Sequence, residues 1–297
     1  MTAGNSANDA GLESIATAVA PDRPVKTIRP PSITPAGLFR SILELIRYRD
    51  LLYTLALHRI KVRYKQSALG PAWAILQPVS LMLMYTLIFS KIARIPTDGV
   101  PYSLFAFAGL LPWLLFATSV TSSTMGITSH ADLIRKVFFP REILPLTYVF
   151  AALLDFLVSS VLLLGLMIWY AVPVSSVLLF AVPLLIIELA IATAVSMLFC
   201  AIQVRMRDIG IAMPLLLQLW MFATPVVYPL TLVPERIRWF FALNPLSGIV
   251  EGFRAVVLRG QPPDWTLLSI SSATAFGLLA ISYAVFKHVE ATMADNI

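Results

Sequence analysis

From residue 66 onward the charged residues divide the chain into long apolar runs, and the run lengths predict the elements. A bilayer core needs about 20 apolar residues per helix. Residues 66–90 give a first span, about 69–90, and residues 99–131 a second, about 102–124. Residues 143–204 are interrupted only by Asp155 and Glu188 and are too long for one helix. The turn-like Trp169-Tyr170-Ala171-Val172-Pro173 divides them into spans of about 144–169 and 174–201, with two aromatics at an interface. Spans at about 209–233 and 265–286 complete the set. The pattern predicts an all-α membrane protein with six transmembrane helices in a domain covering 66–297.

The flanks of this domain read differently. Residues 1–35 are rich in Ala, Ser and Asn, then carry Pro21, Pro24, Pro30, Pro31 and Pro35. Nothing there can bury a core, so the segment is expected to be a disordered cytoplasmic tail. Its mildly apolar run, Ile15 to Ala20, is short and follows acids, which argues against a signal peptide. Over 36–65, Leu38, Ile42, Leu45, Leu52 and Leu55 recur at helical spacing while Arg40, Glu44, Arg47 and Asp50 take other faces. The segment ends in the cations Arg59, Lys61, Arg63 and Lys65. This predicts an N-terminal amphipathic helix in the membrane interface, with a soluble helix packed on another domain as the alternative. Residues 239–258 are apolar enough for a further span, but they hold Glu251 and Arg254, each costing about 2.5–3.5 kcal/mol at a helix centre. Asn244-Pro245 also breaks the segment. A re-entrant pair of short helices before the last span satisfies both facts. Irregular backbone at that depth is tolerated where it packs on protein or lines a water-filled path. Asn244, Pro245, Glu251 and Arg254 are therefore candidate outer-gate residues.

Composition narrows the class. With 58% hydrophobic residues, 13% charged ones and a mean hydropathy of +0.82, the chain is not an ordinary soluble enzyme, which carries about 25% charged residues. A net charge of +6 would suggest nucleic acid for a soluble protein; here it reads as basic loops beside anionic lipid, with no nucleic-acid partner. With the N-terminus inside, 16 of the 22 Lys and Arg fall on inner segments and 6 on outer ones, which places both termini in the cytoplasm. The lone Cys200 and the scattered His58, His130 and His288 predict neither a disulfide nor a metal site.

No lysine follows a glycine, so a phosphate-binding P-loop is absent, and no catalytic constellation stands out. Energy-driven work would require another subunit. Ser129 and Asp132 have the spacing of a capping box. Leu133, Ile134, Val137 and Phe138 then supply an apolar face before Pro140. Such a short cytoplasmic helix suits a groove on a partner, or a resting place on lipid. Asp155 and Glu188 are intramembrane acids with no cation nearby in sequence; each is either functional or a protonated helix–helix hydrogen-bonding group. Trp73, Gln77, Ser80 and Met84 share one face of the first span, as Pro214, Gln218, Met221 and Pro225 do on the fifth. Either face could line a path. The aromatics Tyr102, Phe105, Phe107, Trp113 and Phe116 suit a sliding sugar chain or an interfacial belt.

Arg63-Tyr64-Lys65-Gln66-Ser67-Ala68-Leu69-Gly70-Pro71-Ala72-Trp73, running into Leu76-Gln77-Pro78, resembles the entry to the first span in permeases of type-two ABC transporters that export polysaccharide. That class covers O-antigen, capsule, teichoic acid and galactan-like glycans. Ala108-Gly109-Leu110-Leu111-Pro112-Trp113, Phe138-Phe139-Pro140-Arg141, Asn244-Pro245-Leu246 and Glu251-Gly252-Phe253-Arg254 look like later landmarks of that family. The resemblance runs from about Leu38 to Val289.

It implies a homodimeric permease of the bacterial inner membrane whose channel carries a glycan on a polyprenyl diphosphate lipid. Two separate ATPase subunits would supply the energy. This chain would hold no cofactor of its own, with ATP and Mg on the partner. Ser129, Asp132, Leu133, Ile134, Val137 and Phe138 would form the coupling helix to the ATPase. Trp73, Gln77, Ser80, Met84, Gln218 and Met221 are the candidate lumen residues, and Arg59, Lys61, Arg63 and Lys65 suit the diphosphate head or anionic lipid equally. The alternatives are an ABC exporter of a drug or small lipid, a proton-coupled transporter using Asp155 and Glu188, and a membrane-embedded glycan-modifying enzyme.

Overall fold

The computed structural model describes residues 45–65, 67, 69–97, 99–136, 139–290 and 293. The chain divides into the unit Met1–Ser32, which lies outside the described residues, and the unit Ile33–Ile297, to which all that follows belongs. The expected tail, Leu38 and Ile42 of the interfacial helix, and Val137 and Phe138 also lie outside the described residues.

Every regular element among the described residues is helical. We label them α1 (Arg49–Lys65), α2 (Trp73–Tyr85, running on as a π-helical segment Thr86–Ile92), α3 (Tyr102–Ser129), α4 (Ala131–Lys136), α5 (Ile143–Trp169) and α6 (Ala181–Arg205, entered through the 3-10 turn Ser176–Phe180). They continue as α7 (Asp208–Phe222), α8 (Glu235–Leu243), α9 (Pro245–Leu258) and α10 (Trp265–Glu290). Five of these segments are long and apolar enough to cross a membrane: Trp73–Ile92, α3, α5, Ser176–Arg205 and α10. A sixth is present if α8 and α9, bent 98° to one another, count as one broken span.

The segment expected as a continuous span over 209–233 is helical only to Phe222, a length of ~22 Å against the ~30 Å hydrocarbon core. Pro225 and Pro229 explain the stop, because proline removes a ladder donor and pushes the residue before it out of helical conformation.

α3 is the central helix. Most of its residues are buried, as in a helix enclosed by others, and α2, α5, α6, α7 and α9 surround it. Ala106, Ala108 and Gly109 allow close approach in a setting where packing, not water exclusion, drives association. At one end of the bundle, the ends of α3, α6 and α10, the start of α5 and Ile134 of α4 form a second apolar cluster. Leu45, Leu51, Leu52 and Leu55 of the α1 region lie against it. The start of α10 meets the approach to α6 elsewhere, Trp265 packing edge-on to Phe180 at 5.6 Å.

Candidate functional site

Breaking a helix at membrane depth frees backbone carbonyls, each of which needs a partner. The stretch after α7 finds them in side chains from three other elements. Asn244, extended between α8 and α9, is the pivot. Its Oδ1 caps α9 by accepting from Leu246 N (3.2 Å), with Pro245 in the first helical turn where its missing N–H does no harm. The same Oδ1 accepts from Trp220 Nε1 (3.3 Å), and Nδ2 donates to Ala223 O (3.1 Å) and Thr224 Oγ1 (2.8 Å). Tyr102 OH donates to Val227 O (2.6 Å), and Tyr228 OH to Phe222 O (2.6 Å).

Arg254 completes the set from α9. Its side chain is 1% exposed, and its guanidinium donates to Phe105 O (3.3 Å), Pro225 O (2.7 Å), Val226 O and Tyr228 O (3.5 Å). The guanidinium lies 3.8 Å over the Phe105 ring, with Glu251 at 3.8 Å. Gly109 of α3 leaves the room it needs: a Cβ there would sit 2.2 Å from Arg254 Nη2 and 2.6 Å from Val226 O. Arg254, a candidate outer-gate residue from the sequence, is a buried clamp holding the broken backbone to α3 and α9. Glu251 is tied to Arg259 at 2.6 Å, and Tyr102 and Phe105 are parts of the clamp. Gly109 belongs to the Ala108–Trp113 motif quoted above, but spacing alone does not pair it with Arg254.

A cavity of about 640 Å³ opens between α2, α3 and α5, with Arg63 and Ser67 at its α1 side. Trp73 and Gln77 line it together with Arg63; Ser80 and Met84 continue the same exposed side of α2, Ser80 donating back to Leu76 O (2.8 Å). The expected fifth-span face does not join them. Gln218 is exposed, whereas Met221 is buried with its sulfur accepting from Tyr85 OH at 3.6 Å. The five aromatics suited to a sliding chain are all buried around α3 and form core.

Asp155, for which the sequence offers no neighbouring cation, forms an ion pair and hydrogen bond with Arg63 of α1. Arg59 lies 4.7 Å over the Tyr148 ring of α5. Two of the four cations expected to face lipid head groups are thus committed to α5, while Lys61 and Lys65 are exposed. Glu188 is fully buried, and neither of its carboxylate oxygens has a hydrogen-bond partner among the described residues.

In the segment expected to couple to an ATPase, Ser129 is the last residue of α3, and its hydroxyl donates back to Met125 O and Gly126 O (3.0 Å each), so no capping box forms with Asp132. The carbonyl of His130 starts α4 instead, accepting from Leu133 N and Ile134 N. Ile134, expected on a partner-facing surface, is buried in the second apolar cluster, and Leu133 is half-buried against it. Asp132 and Lys136 are exposed. Nearby lies a charged network that sequence spacing does not reveal. Lys287 of α10 pairs with Glu142, the residue before α5, and with Glu290 at 2.8 Å. Tyr283 OH donates to Glu142 Oε1 (3.3 Å), and Arg141 Nη1 donates to Glu290 O. Burial pushes the Glu142 carboxyl up, Glu290 adds to this, and Lys287 opposes it.

An apolar bundle with several helices long enough to cross a membrane, and a bent helix pair held by a buried carbonyl clamp, is the architecture of a membrane-embedded protein. The chain matches the ABC-2 type transporter family over residues 50–258 and belongs to that family. It is 36% identical over 263 residues to the O-antigen export system permease protein RfbA of Myxococcus xanthus, covering 88% of this chain and 100% of that one. Against RfbA of Klebsiella pneumoniae the identity is 30% over 247 residues, 83% and 94% of the two chains. The polysialic acid transport protein KpsM of Escherichia coli is 26% identical over 247 residues, 82% and 94%. The chain is an integral inner-membrane permease of a type-two ABC transporter.

Proposed function

We propose that this chain is the permease subunit of an ATP-driven exporter that carries a lipid-linked polysaccharide across the inner membrane, with both termini in the cytoplasm. The observation that carries this reading is the identity to the O-antigen export permease of Myxococcus xanthus, which extends over that protein's full length. Two copies form the channel, and the exposed side of α2 with Trp73, Gln77, Ser80 and Met84 is the surface each contributes. Two ATPase subunits hold ATP and Mg and dock beneath α4. Their closure on ATP pushes on α4 and α1, and the spans shift to admit the chain from the inner leaflet. Lys61 and Lys65 attract the diphosphate head by charge, while Arg59 and Arg63 hold α1 on α5. The Asn244–Arg254 clamp keeps the re-entrant pair in register at the outer side.

Co-expression with the ATPase encoded alongside it, followed by isolation of the complex, tests the reading. A stable complex containing two copies of each subunit is expected, and cells without the permease should accumulate unexported lipid-linked glycan. A chain that recruits no ATPase while glycan export proceeds without it would sink the proposal.

A further inference from the structure

The cavity between α2, α3 and α5 sets apolar side chains such as Leu111, Leu114 and Phe156 beside polar groups that packing does not require. Along residues 118–124 of α3, six of seven side chains carry hydroxyls, and they divide into two sets. Ser119 and Thr124 are buried and donate back to Leu115 O and Val120 O (2.7 Å each), and buried Ser123 donates to Pro145 O (3.2 Å). These are the self-satisfied hydroxyls expected of a membrane helix. Thr121 and Ser122 follow Thr118 by three and four residues; all three line the cavity and make no hydrogen bond among the described residues. Gln77 and the Trp73 indole face the same space from α2, equally uncommitted. Opposite them, Arg63 and Asp155 close the rim as an ion pair.

We infer that this cavity is a sugar-binding subsite within a single protomer, holding one unit of the glycan; the inference rests on the polysaccharide-export reading above. A pyranose has a polar rim of neighbouring hydroxyls and an apolar C–H face. The wall of hydroxyls and amide matches the rim, and the flat indole of Trp73 matches the face. The Arg63–Asp155 pair brings donors and acceptors together without net charge, which suits a neutral diol better than a free anion. An acyl chain would leave the Thr118, Thr121 and Ser122 hydroxyls unpaired, so lipid tails fit poorly. Neutral hydroxyl contacts are individually weak, so a sugar held here can also leave, as translocation requires.

Cysteine protection in the host cell, with the full transporter present, tests the assignment. Thr121→Cys and Ser122→Cys are introduced separately, the parent's buried Cys200 giving the background. Cells are treated with a membrane-permeant maleimide, either making the glycan with export stalled by a hydrolysis-deficient ATPase or blocked in glycan synthesis. Several-fold slower labelling in the glycan-making cells is expected at both positions. Thr118→Val combined with Thr121→Val should slow export several-fold while protein level and ATPase binding stay at parental values. Equal labelling in the two cell states, or parental export by the paired valine variant, would overturn the subsite. Glycan export that proceeds without the permease would instead overturn the export reading itself, so the two failures are told apart.

Discussion

Arg254 shows how one side chain makes a broken helical path tolerable. Four carbonyls from Phe105, Pro225, Val226 and Tyr228 converge on its guanidinium, a planar fork that a lysine ammonium cannot reproduce. Arg254→Lys is expected to lower the melting temperature of the detergent-solubilised protein clearly, and Arg254→Ala to prevent accumulation, since each buried carbonyl left without a partner costs about 1–3 kcal/mol. Gly109→Ala should reach the same clamp from α3, because its Cβ would overlap the guanidinium; overpacking of this kind costs about 1–3 kcal/mol. The Gly109→Ala/Arg254→Lys double variant should melt higher than the sum of the two losses predicts, as residues in contact do not add. Additive losses would mean that the two act independently. That a charge in an apolar segment needs compensation was legible in the sequence at Arg254. What compensates it was not, because carbonyls carry no residue identity and Pro225 to Tyr228 gave no sign of facing α9.

The helices that periodicity and run length describe well are those set by apolar length alone: Trp73–Ile92, α3, α5, Ser176–Arg205 and α10. The elements that depend on partners were less legible. Pro225 was visible after α7, yet stopping the helix at Phe222 also required partners for the freed carbonyls, which come from Asn244, Tyr102 and Arg254. The spacing of Ser129 and Asp132 suggested a cap, but the hydroxyl found nearer acceptors on its own helix. Hydrophobicity marked Leu133 and Ile134 as a face without saying which surface that face meets. The structure turns Ile134 inward, and this divides the expected effects of mutation in α4. Ile134→Ala should destabilise the permease itself by about 2–4 kcal/mol through loss of core packing, read as a lowered melting temperature of the isolated chain. Asp132→Lys and Lys136→Glu, at exposed positions, should leave that temperature unchanged and weaken ATPase binding or stimulation in the complex. If Ile134→Ala leaves stability untouched but uncouples the ATPase, α4 meets its partner through the face that the sequence first suggested.

On the scale of the whole molecule, the Glu142–Lys287–Glu290 network ties the beginning of α5 to the end of α10. Glu142 is 1% exposed, so its charge depends on Lys287. The sign of the pH effect follows from the groups around it. Burial and Glu290 hold the carboxyl above its ordinary value, and Lys287 works against them. A carboxyl raised in the fold is best tolerated when protonated, so its contribution to stability is present at low pH and is lost as pH rises from the ordinary carboxylate value through the raised one. Lys287→Met removes the opposing cation, moves the upper edge of that window higher and deepens the loss above it. The variant should therefore melt well below the parent at neutral pH, by an amount on the order of breaking a buried pair, about 3–5 kcal/mol. The gap should narrow steadily as pH falls toward the ordinary carboxylate range. Adding Glu142→Gln to Lys287→Met supplies a neutral side chain of the same shape and should remove most of both the deficit and its pH dependence. Melting curves of the three proteins between about pH 5 and 8 separate this from simple loss of the lysine's apolar stem, which would lower all points equally and leave the double variant no better than the single one.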